Sequence, residues 1–503
     1  MTSWQGRNVT VAGLGVSGLS AARALAGLGA VVTVVDGGDG EAQRARAAEL
    51  AGTGISVRLG DAETLPDGTD LVVTSPGWKP SSPLFTAAAD AGVDVVGDVE
   101  IAWRLRGPDA APWLAITGTN GKTTTTQMLA SILAAAGLRT AAVGNIGTPI
   151  VDVVLEDRAA REARSIEDGG GRREGDAYDV LAVELSSYQL HWAPSLRVHS
   201  AAVLNLAPDH LDWHGSMEAY AADKGRIYEG NQVACVYNAA DKATEDLVRE
   251  ADVEEGCRAI GFTLTAPAPS QLGVVDGILV DRAFVPDRQK QAQELAEFSD
   301  LLPPAARRPS EEGASRPLKP APHTIANALA AAGLARAFGV EAAAVREGLR
   351  AFRPDAHRIE HVADVEDVAY IDDSKATNTH AAQASLAAYE SIVWIAGGLA
   401  KGATFDELVA GAAGRLRGVV LIGADRALIR EALARHAPEV PVVDLDRTDT
   451  GAMSEAVRQA ARLARPGDTV LMAPACASMD MFTNYNKRGD AFAAAVRELG
   501  ASA

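Results

Sequence analysis

Ile116-Thr-Gly-Thr-Asn-Gly-Lys-Thr-Thr124 follows on from an apolar run, Trp113–Thr117, and leads into a helical stretch through Ala136. Glycines at 118 and 121 let the backbone curl so that its N–H groups face phosphate oxygens. Lys122 adds a point charge, and the Thr123 hydroxyl can ligate Mg²⁺. The strict phosphate-loop pattern places a glycine five residues before Gly121, where this chain has Ile116, so the segment is the shorter Gly-x-x-Gly-Lys-Thr form. The strand before it and the helix after it distinguish it from a glycine turn with an incidental lysine. Gly118, Thr119, Asn120, Gly121, Lys122, Thr123 and Thr124 are therefore expected to hold ATP.

On the N-terminal side, the apolar run Asn8–Ala12 leads into Gly13-Leu-Gly-Val-Ser-Gly18 and a helical stretch to Leu28. A second run, Val31–Val35, ends at Asp36, and a third, Leu71–Thr74, ends in Ser75-Pro-Gly77. Short buried strands alternating with helices predict a parallel, doubly wound sheet. The Gly13–Gly18 spacing with Asp36 suits NAD, another nucleotide or a purely structural strand-to-helix turn. Residues 1–107 form this first block, which closes near Gly107-Pro108.

The second block, 108–353, is predicted to carry further strands at Val180–Leu185 and Ala201–Asn205 and a helix over Asn327–Phe338. Two stretches, 157–176 and 282–322, are charge-rich without sustained periodicity and are expected to be surface insertions. The third block, 354–503, alternates strands at Val368–Ile371, Ile392–Ala396, Val419–Ile422, Val442–Leu445 and Thr469–Met472 with helices such as Asp425–His436 and Met453–Ala464. The fold class is thus α/β in three domains.

Bulk properties support this and narrow the function. A chain of 503 residues exceeds one core. A net charge of −19 argues against a nucleic-acid partner, while leaving local loops free to bind a small anion. Three scattered cysteines, Cys235, Cys257 and Cys476, suit a reducing compartment and no zinc site. The N-terminal segment lacks an export-type apolar stretch, and nowhere do about 18 apolar residues run together. A cytoplasmic protein without a membrane span is expected.

Several polar residues sit where burial would be costly. Glu184 ends the apolar run Asp179–Leu185, where a carboxylate suits a Mg²⁺ ligand or, alternatively, a capped or solvent-reaching residue. His210, within Asn205-Leu-Ala-Pro-Asp-His-Leu-Asp212, could be a metal ligand or a base, or simply packed. Lys224 reads by default as a solvated lysine, since an ammonium cannot ligate a cation.

The ordered set Gly118–Thr124, Gly144-Asn-Ile-Gly147, Glu184-Leu-Ser-Ser-Tyr-Gln189, Asp209-His210, Asp223-Lys-Gly-Arg-Ile-Tyr228, His357-Arg358 and Asp373-Ser-Lys-Ala-Thr-Asn378 resembles the Mur ligase family over the whole chain. Asp373–Asn378 together with Pro474-Ala-Cys-Ala-Ser478 is similar to the D-glutamate-adding branch. The resemblance implies Rossmann-like outer domains around a central P-loop ATPase-like domain. It implies ATP and Mg²⁺ as cofactors, UDP-N-acetylmuramoyl-L-alanine and D-glutamate as substrates, a role in cell-wall synthesis and cell division, and a monomer. Val16, Ser17, Asp36, Ser75, Pro76, Gly77, Asn145 and Ser186 would contact the UDP-substrate. Asn327, Arg358 and Asp373 would join the ATP site, the third domain closing over it, and Lys375, Thr377, Lys401, Ser478 and Tyr485 would take D-glutamate. Lys122, Glu184, His210 and Lys224 are the expected catalytic groups, with Thr123, Glu184, His210 and Lys224, the last as a carbamate, around metal. The chain reads His323-Thr324 where the family has a His-Asn pair.

A nicotinamide oxidoreductase would leave Gly118–Thr123 and Glu184 unexplained, and a nucleotide switch predicts ATP turnover independent of D-glutamate. The expected chemistry is attack of the alanyl carboxylate on the γ-phosphate, then of the D-glutamate amine on the acyl phosphate.

Overall fold

Parallel strands covered on both faces must be apolar throughout, and the sequence supplies such runs in three groups. A computed structural model describes residues 4–107, 109–164, 177–302, 320–354, 356–447, 449 and 451–502. The chain divides into two compact units, Met1–Pro320 with Thr324–Phe352, and Ala321–His323 with Arg353–Ala503. The α/β class of all three sheets is the one expected from the sequence.

The first unit holds two sheets. Strands β1 (Asn8–Ala12), β2 (Val31–Asp36), β3 (Ser56–Leu59), β4 (Leu71–Thr74) and β5 (Val95–Gly97) form a parallel sheet in the order β3-β2-β1-β4-β5. The order reverses between β1 and β4, so Gly13–Gly18 and Ser75–Gly77 follow the two strands that flank the switch point, where open sheets bind ligands.

The second sheet comprises β6 (Trp113–Thr117), β7 (Ala142–Gly144), β8 (Leu181–Glu184), β9 (Ser200–Val203), β10 (Ala234–Asn238), β11 (Arg258–Phe262), β12 (Gln271–Val275), β13 (Ile278–Asp281) and β14 (Gln293–Glu297). Its order is β14-β13-β12-β11-β10-β9-β6-β8-β7, parallel up to β12 and antiparallel beyond. Central β6 is buried at every position. The helix Lys122–Ala135 that follows it packs on Ala342–Ala351, where Gly348 sits so close that a Cβ would meet Ile132 Cα at 2.3 Å. The alanines of Pro322–Ala337 complete that core.

Part of each charge-rich stretch lies in a regular element. Residues 157–164 belong to the helix Ile150–Arg164, whose Asp157 is buried and accepts from the Ala111 and Tyr178 N–H groups. The charge there is an anchored carboxylate and an exposed face. Residues 282–302 contain β14, where Leu295 and Ala296 face inward while Gln293, Glu294 and Glu297 are exposed. A half-exposed edge strand carries its charge outward and loses the apolar signature. Residues 165–176 and 303–319 lie outside the described residues, as does Pro108 of the expected linker.

The second unit has one sheet: β15 (Glu360–Val365), β16 (Val368–Asp372), β17 (Ile392–Gly397), β18 (Leu416–Ile422), β19 (Val442–Asp444) and β20 (Thr469–Met472), in the order β15-β16-β20-β17-β18-β19. Only β15 is antiparallel. No helix among the described residues is long and apolar enough to cross a membrane.

Candidate active site

The loop after β6 needs its glycines. Gly118 has φ +153° and lies against Leu204; Gly121 has φ +86° and caps the helix Lys122–Ala135, where a Cβ would meet Asn327 Oδ1 at 2.5 Å. Asn205 braces the loop from β9: its Oδ1 accepts the Asn120 N–H at 2.9 Å and its Nδ2 donates to Asn120 O at 3.0 Å. Thr119 Oγ1 lies 3.0 Å from Tyr220 OH and accepts the Ala207 N–H. Lys122 Nζ turns back to donate to Gly118 O and Thr119 O, each at 2.9 Å. The Thr119 and Asn120 N–H groups are thus held by Asn205, which fixes the course of the loop up to the N-terminus of the helix Lys122–Ala135. Thr123 and Thr124 open the helix behind it.

Beside the loop, β8 delivers Glu184 in register with Ile116. Glu184 is 1% exposed; Oε1 accepts from Asn145 Nδ2 at 2.8 Å, whereas Oε2 is buried with no hydrogen-bond partner. An orphaned buried carboxylate oxygen is costly unless a cation meets it. Gly144 lets Asn145 approach, since a Cβ there would meet Glu184 O at 2.2 Å. Ser186 caps the next helix in a reciprocal box with Gln189.

Lys224 is not the solvated lysine that its sequence setting suggests. It is 2% exposed, and Nζ donates to Gly118 O at 2.9 Å and lies 3.3 Å from Thr117 Oγ1. Burial, and then the Lys122 cation, push its pKa well below the ordinary lysine value. The helix Met217–Gly225 puts it there, started by the Ser216 side chain accepting the Ala219 N–H. His210, half-exposed with φ +55°, sits against the Tyr188 ring at 4.9 Å, and burial lowers its pKa despite Asp209.

Residues given no role from the sequence complete this region. Asp223 accepts from His191 Nδ1 and His214 Nδ1, both at 2.9 Å, and His214 Nε2 lies 2.9 Å from Ser187 Oγ. Three segments meet on one carboxylate, which no spacing reveals; the only hint is an acid immediately before Lys224.

On the first sheet, Gly13 has φ +101° and Gly18 abuts Gly13 O. Asp36 accepts the Leu14 N–H at 2.7 Å and the Gly38 N–H at 2.8 Å, holding the turn shut. Ser75 Oγ is buried with no partner, next to Gly13, and leads into Pro76 and Gly77. Val16 is 64% exposed and Ser17 partly buried at the head of the helix Val16–Gly27. Asp98, unforeseen from the sequence, is buried with one oxygen unpartnered; burial raises its pKa, while Ser17 and Gln189 counter. Trp213 Nε1 donates to Trp78 O at 3.1 Å, so the turn after His210 lies against the segment after Ser75–Gly77.

The second unit gathers its own set. Lys375 Nζ stands 3.9 Å from the centre of the Tyr485 ring. Asp373 bonds the Ser385 hydroxyl, and burial pushes its carboxyl up to about 6 with Arg358 opposing. Leu399 bridges Ala477, because Gly398 (φ +137°) admits Ala477 O where a Cβ would stand 2.1 Å away. The exposed Lys401 loop is thereby joined to the segment of buried Ser478, and Thr377 lies partly buried after Lys375.

Comparisons with known proteins agree with one family throughout. Residues 7–97 match the Mur ligase MurD-like N-terminal domain, 116–335 the Mur ligase middle domain, and 357–476 the Mur ligase glutamate ligase domain. The chain is 75% identical to the UDP-N-acetylmuramoylalanine–D-glutamate ligase of Streptomyces avermitilis, covering 100% of both chains. It is 45% identical to the enzyme of that name from Mycolicibacterium smegmatis, over 98% of this chain and 97% of the relative. Among solved structures, the MurF ligase of Thermotoga maritima in complex with ADP shares the fold with a TM-score of 0.55 at 15% identity, over 93% of this chain and 95% of that one.

Proposed function

Because the chain belongs to the Mur ligase family, we propose that it joins the amine of D-glutamate to the alanyl carboxylate of UDP-N-acetylmuramoyl-L-alanine with cleavage of ATP, a step of peptidoglycan precursor synthesis. Relatives of that name match it from end to end. The observation that carries the chemistry is a phosphate loop beside a buried carboxylate oxygen with no partner, Glu184 Oε2.

A carboxylate is a poor acylating agent near neutral pH until one of its oxygens becomes a leaving group. Its attack on the γ-phosphate gives an acyl phosphate; the amine then attacks the acyl carbon, and phosphate leaves with the carboxylate's own oxygen. The Gly118–Thr124 loop would hold the triphosphate, and Lys122 would turn from the Gly118 and Thr119 carbonyls to phosphate oxygens. Glu184, Thr123, His210 and Lys224 offer a donor set suited to Mg²⁺, whose charge would offset that of the phosphates. Burial lowers the Lys224 pKa and so favours the neutral amine, the form that adds CO₂ and releases a proton to give a carbamate. That change replaces a repelling cation with oxygen ligands.

The Ser75 hydroxyl, together with Val16, Ser17, Asp36, Pro76 and Gly77, would take the uridine nucleotide, and Asn145 and Ser186 the muramoyl part. Asn327, Arg358 and Asp373 are assigned to ATP, and Lys375, Thr377, Lys401, Ser478 and Tyr485 to the two acids of D-glutamate. We place the enzyme in the cytoplasm, as a monomer.

The test is phosphate release with UDP-N-acetylmuramoyl-L-alanine, ATP and one amino acid at a time. D-Glutamate should support turnover. Turnover with L-glutamate, meso-diaminopimelate or lysine in its place would overturn the substrate assignment.

A further inference from the structure

Arg488 is 1% exposed in the first turn of the helix Tyr485–Ser502, and no step above uses it. Its Nε donates to Ser374 Oγ at 3.0 Å, Nη2 to Ser374 O at 2.8 Å and Nη1 to Cys476 O at 3.1 Å. Ser374 Oγ in turn donates to Tyr485 O at 2.7 Å. Desolvation pulls the guanidinium down to about 10, against the attraction of Cys476, Asp480, Asp372 and Asp373.

Burying a cation is expensive, and a well-packed apolar side chain of similar volume often does as well for stability. What an apolar chain cannot do is span two segments with a rigid, planar set of donors. Here the two segments matter: Ser374 immediately precedes Lys375 and lies three residues before Thr377, and Cys476 lies two residues before Ser478. The same turn supplies the Tyr485 ring against Lys375 Nζ. It also supplies Gly489, where a Cβ would stand 2.2 Å from His357 Nδ1, the atom bonded to Asp372 at the end of β16.

We infer that Arg488 is a positioning residue that sets substrate specificity: its fork fixes the spacing between the Lys375–Thr377 and Ser478 segments, and so the fit of the amino-acid substrate. The inference rests on the D-glutamate reading, but Arg488 does not itself touch the substrate. Lysine keeps the charge yet cannot span Ser374 and Cys476 with a fork, so charge alone should not restore function.

The experiment measures KM for each of the three substrates by phosphate release, using the full-length enzyme and its Arg488→Lys, Arg488→Met and Ser374→Ala variants. KM for D-glutamate should rise about tenfold or more in Arg488→Lys, equivalent to about 1.4 kcal/mol, and further in Arg488→Met. Ser374→Ala, which deletes the hydroxyl's bonds to Arg488 Nε and Tyr485 O and serves if the arginine variants do not fold, should raise it severalfold. KM for ATP and for the UDP-substrate should stay within about twofold of the parent, and D-glutamate should lose its advantage over D-aspartate. An unchanged KM for D-glutamate, or an equal rise for all three substrates, would overturn the inference. If the parent enzyme turned over a different amino acid, the substrate reading would fail, and the same KM comparison on that amino acid would still decide for or against Arg488.

Discussion

Two glycine loops open helices in the first unit, after β1 and after β6, and they are built differently. The β1 loop closes on its own chain: Asp36 is satisfied by the Leu14 and Gly38 N–H groups, and no lysine lies near it in sequence. The β6 loop is left charged and incomplete. Two lysines donate to the Gly118 carbonyl, and the carboxylate on the neighbouring strand keeps an oxygen unpartnered. The helix-capping glycines differ likewise, Gly15 extended (φ −76°) and Gly121 left-handed (φ +86°). A loop with its polar groups satisfied can hold a ligand by shape. One with unmet charge is arranged for what arrives there, and stores part of the site's energy in the free enzyme.

The contrast can be broken most forcefully at Lys122. Lys122→Ala should lower kcat for phosphate release by about 10²–10³-fold while the UDP-substrate, measured by calorimetry, binds as before. Next, Glu184→Gln should raise the Mg²⁺ concentration needed for half-maximal rate by about 10–100-fold, and should raise Tm by removing a buried, half-satisfied charge. A lowered Tm with unchanged Mg²⁺ dependence would make Glu184 structural. Smaller again, Gly121→Ala should cost about 1–3 kcal/mol in denaturant unfolding, from the left-handed φ and the contact with Asn327. Gly15→Ala, with nothing within 4 Å of its added Cβ, should cost under about 0.5 kcal/mol. Ser75→Ala should leave stability unchanged or slightly higher, and raise KM for the UDP-substrate by no more than about twofold with kcat intact. A fall in kcat there would erase the division between a binding loop and a reacting one.

Strands buried on every side were legible before the fold was known. Asn8–Ala12, Trp113–Thr117 and Thr469–Met472 run over the residues expected, because burial on both faces demands unbroken apolar runs. Val95–Gly97 and Ala142–Gly144 are too short to stand out, and β15, one face of which is open, reads as polar. Gly13, Gly118 and Gly121 were equally legible, since positive φ leaves little choice of residue. Lys224 was not, because its burial comes from how the helix Met217–Gly225 packs against Thr117 and Gly118. Asp223, Asp98 and Arg488 escaped for the same reason: their partners come from other segments, and only the folded chain brings them together.

The central claim is that the bend after β6 hands the terminal phosphate of ATP to a carboxylic acid. UDP-N-acetylmuramoyl-L-alanine labelled with ¹⁸O in its alanyl carboxylate tests this directly, by mass spectrometry of the phosphate released during turnover with D-glutamate. One labelled oxygen in each phosphate is the predicted result; phosphate free of label, with amide formed at the same rate, would contradict it.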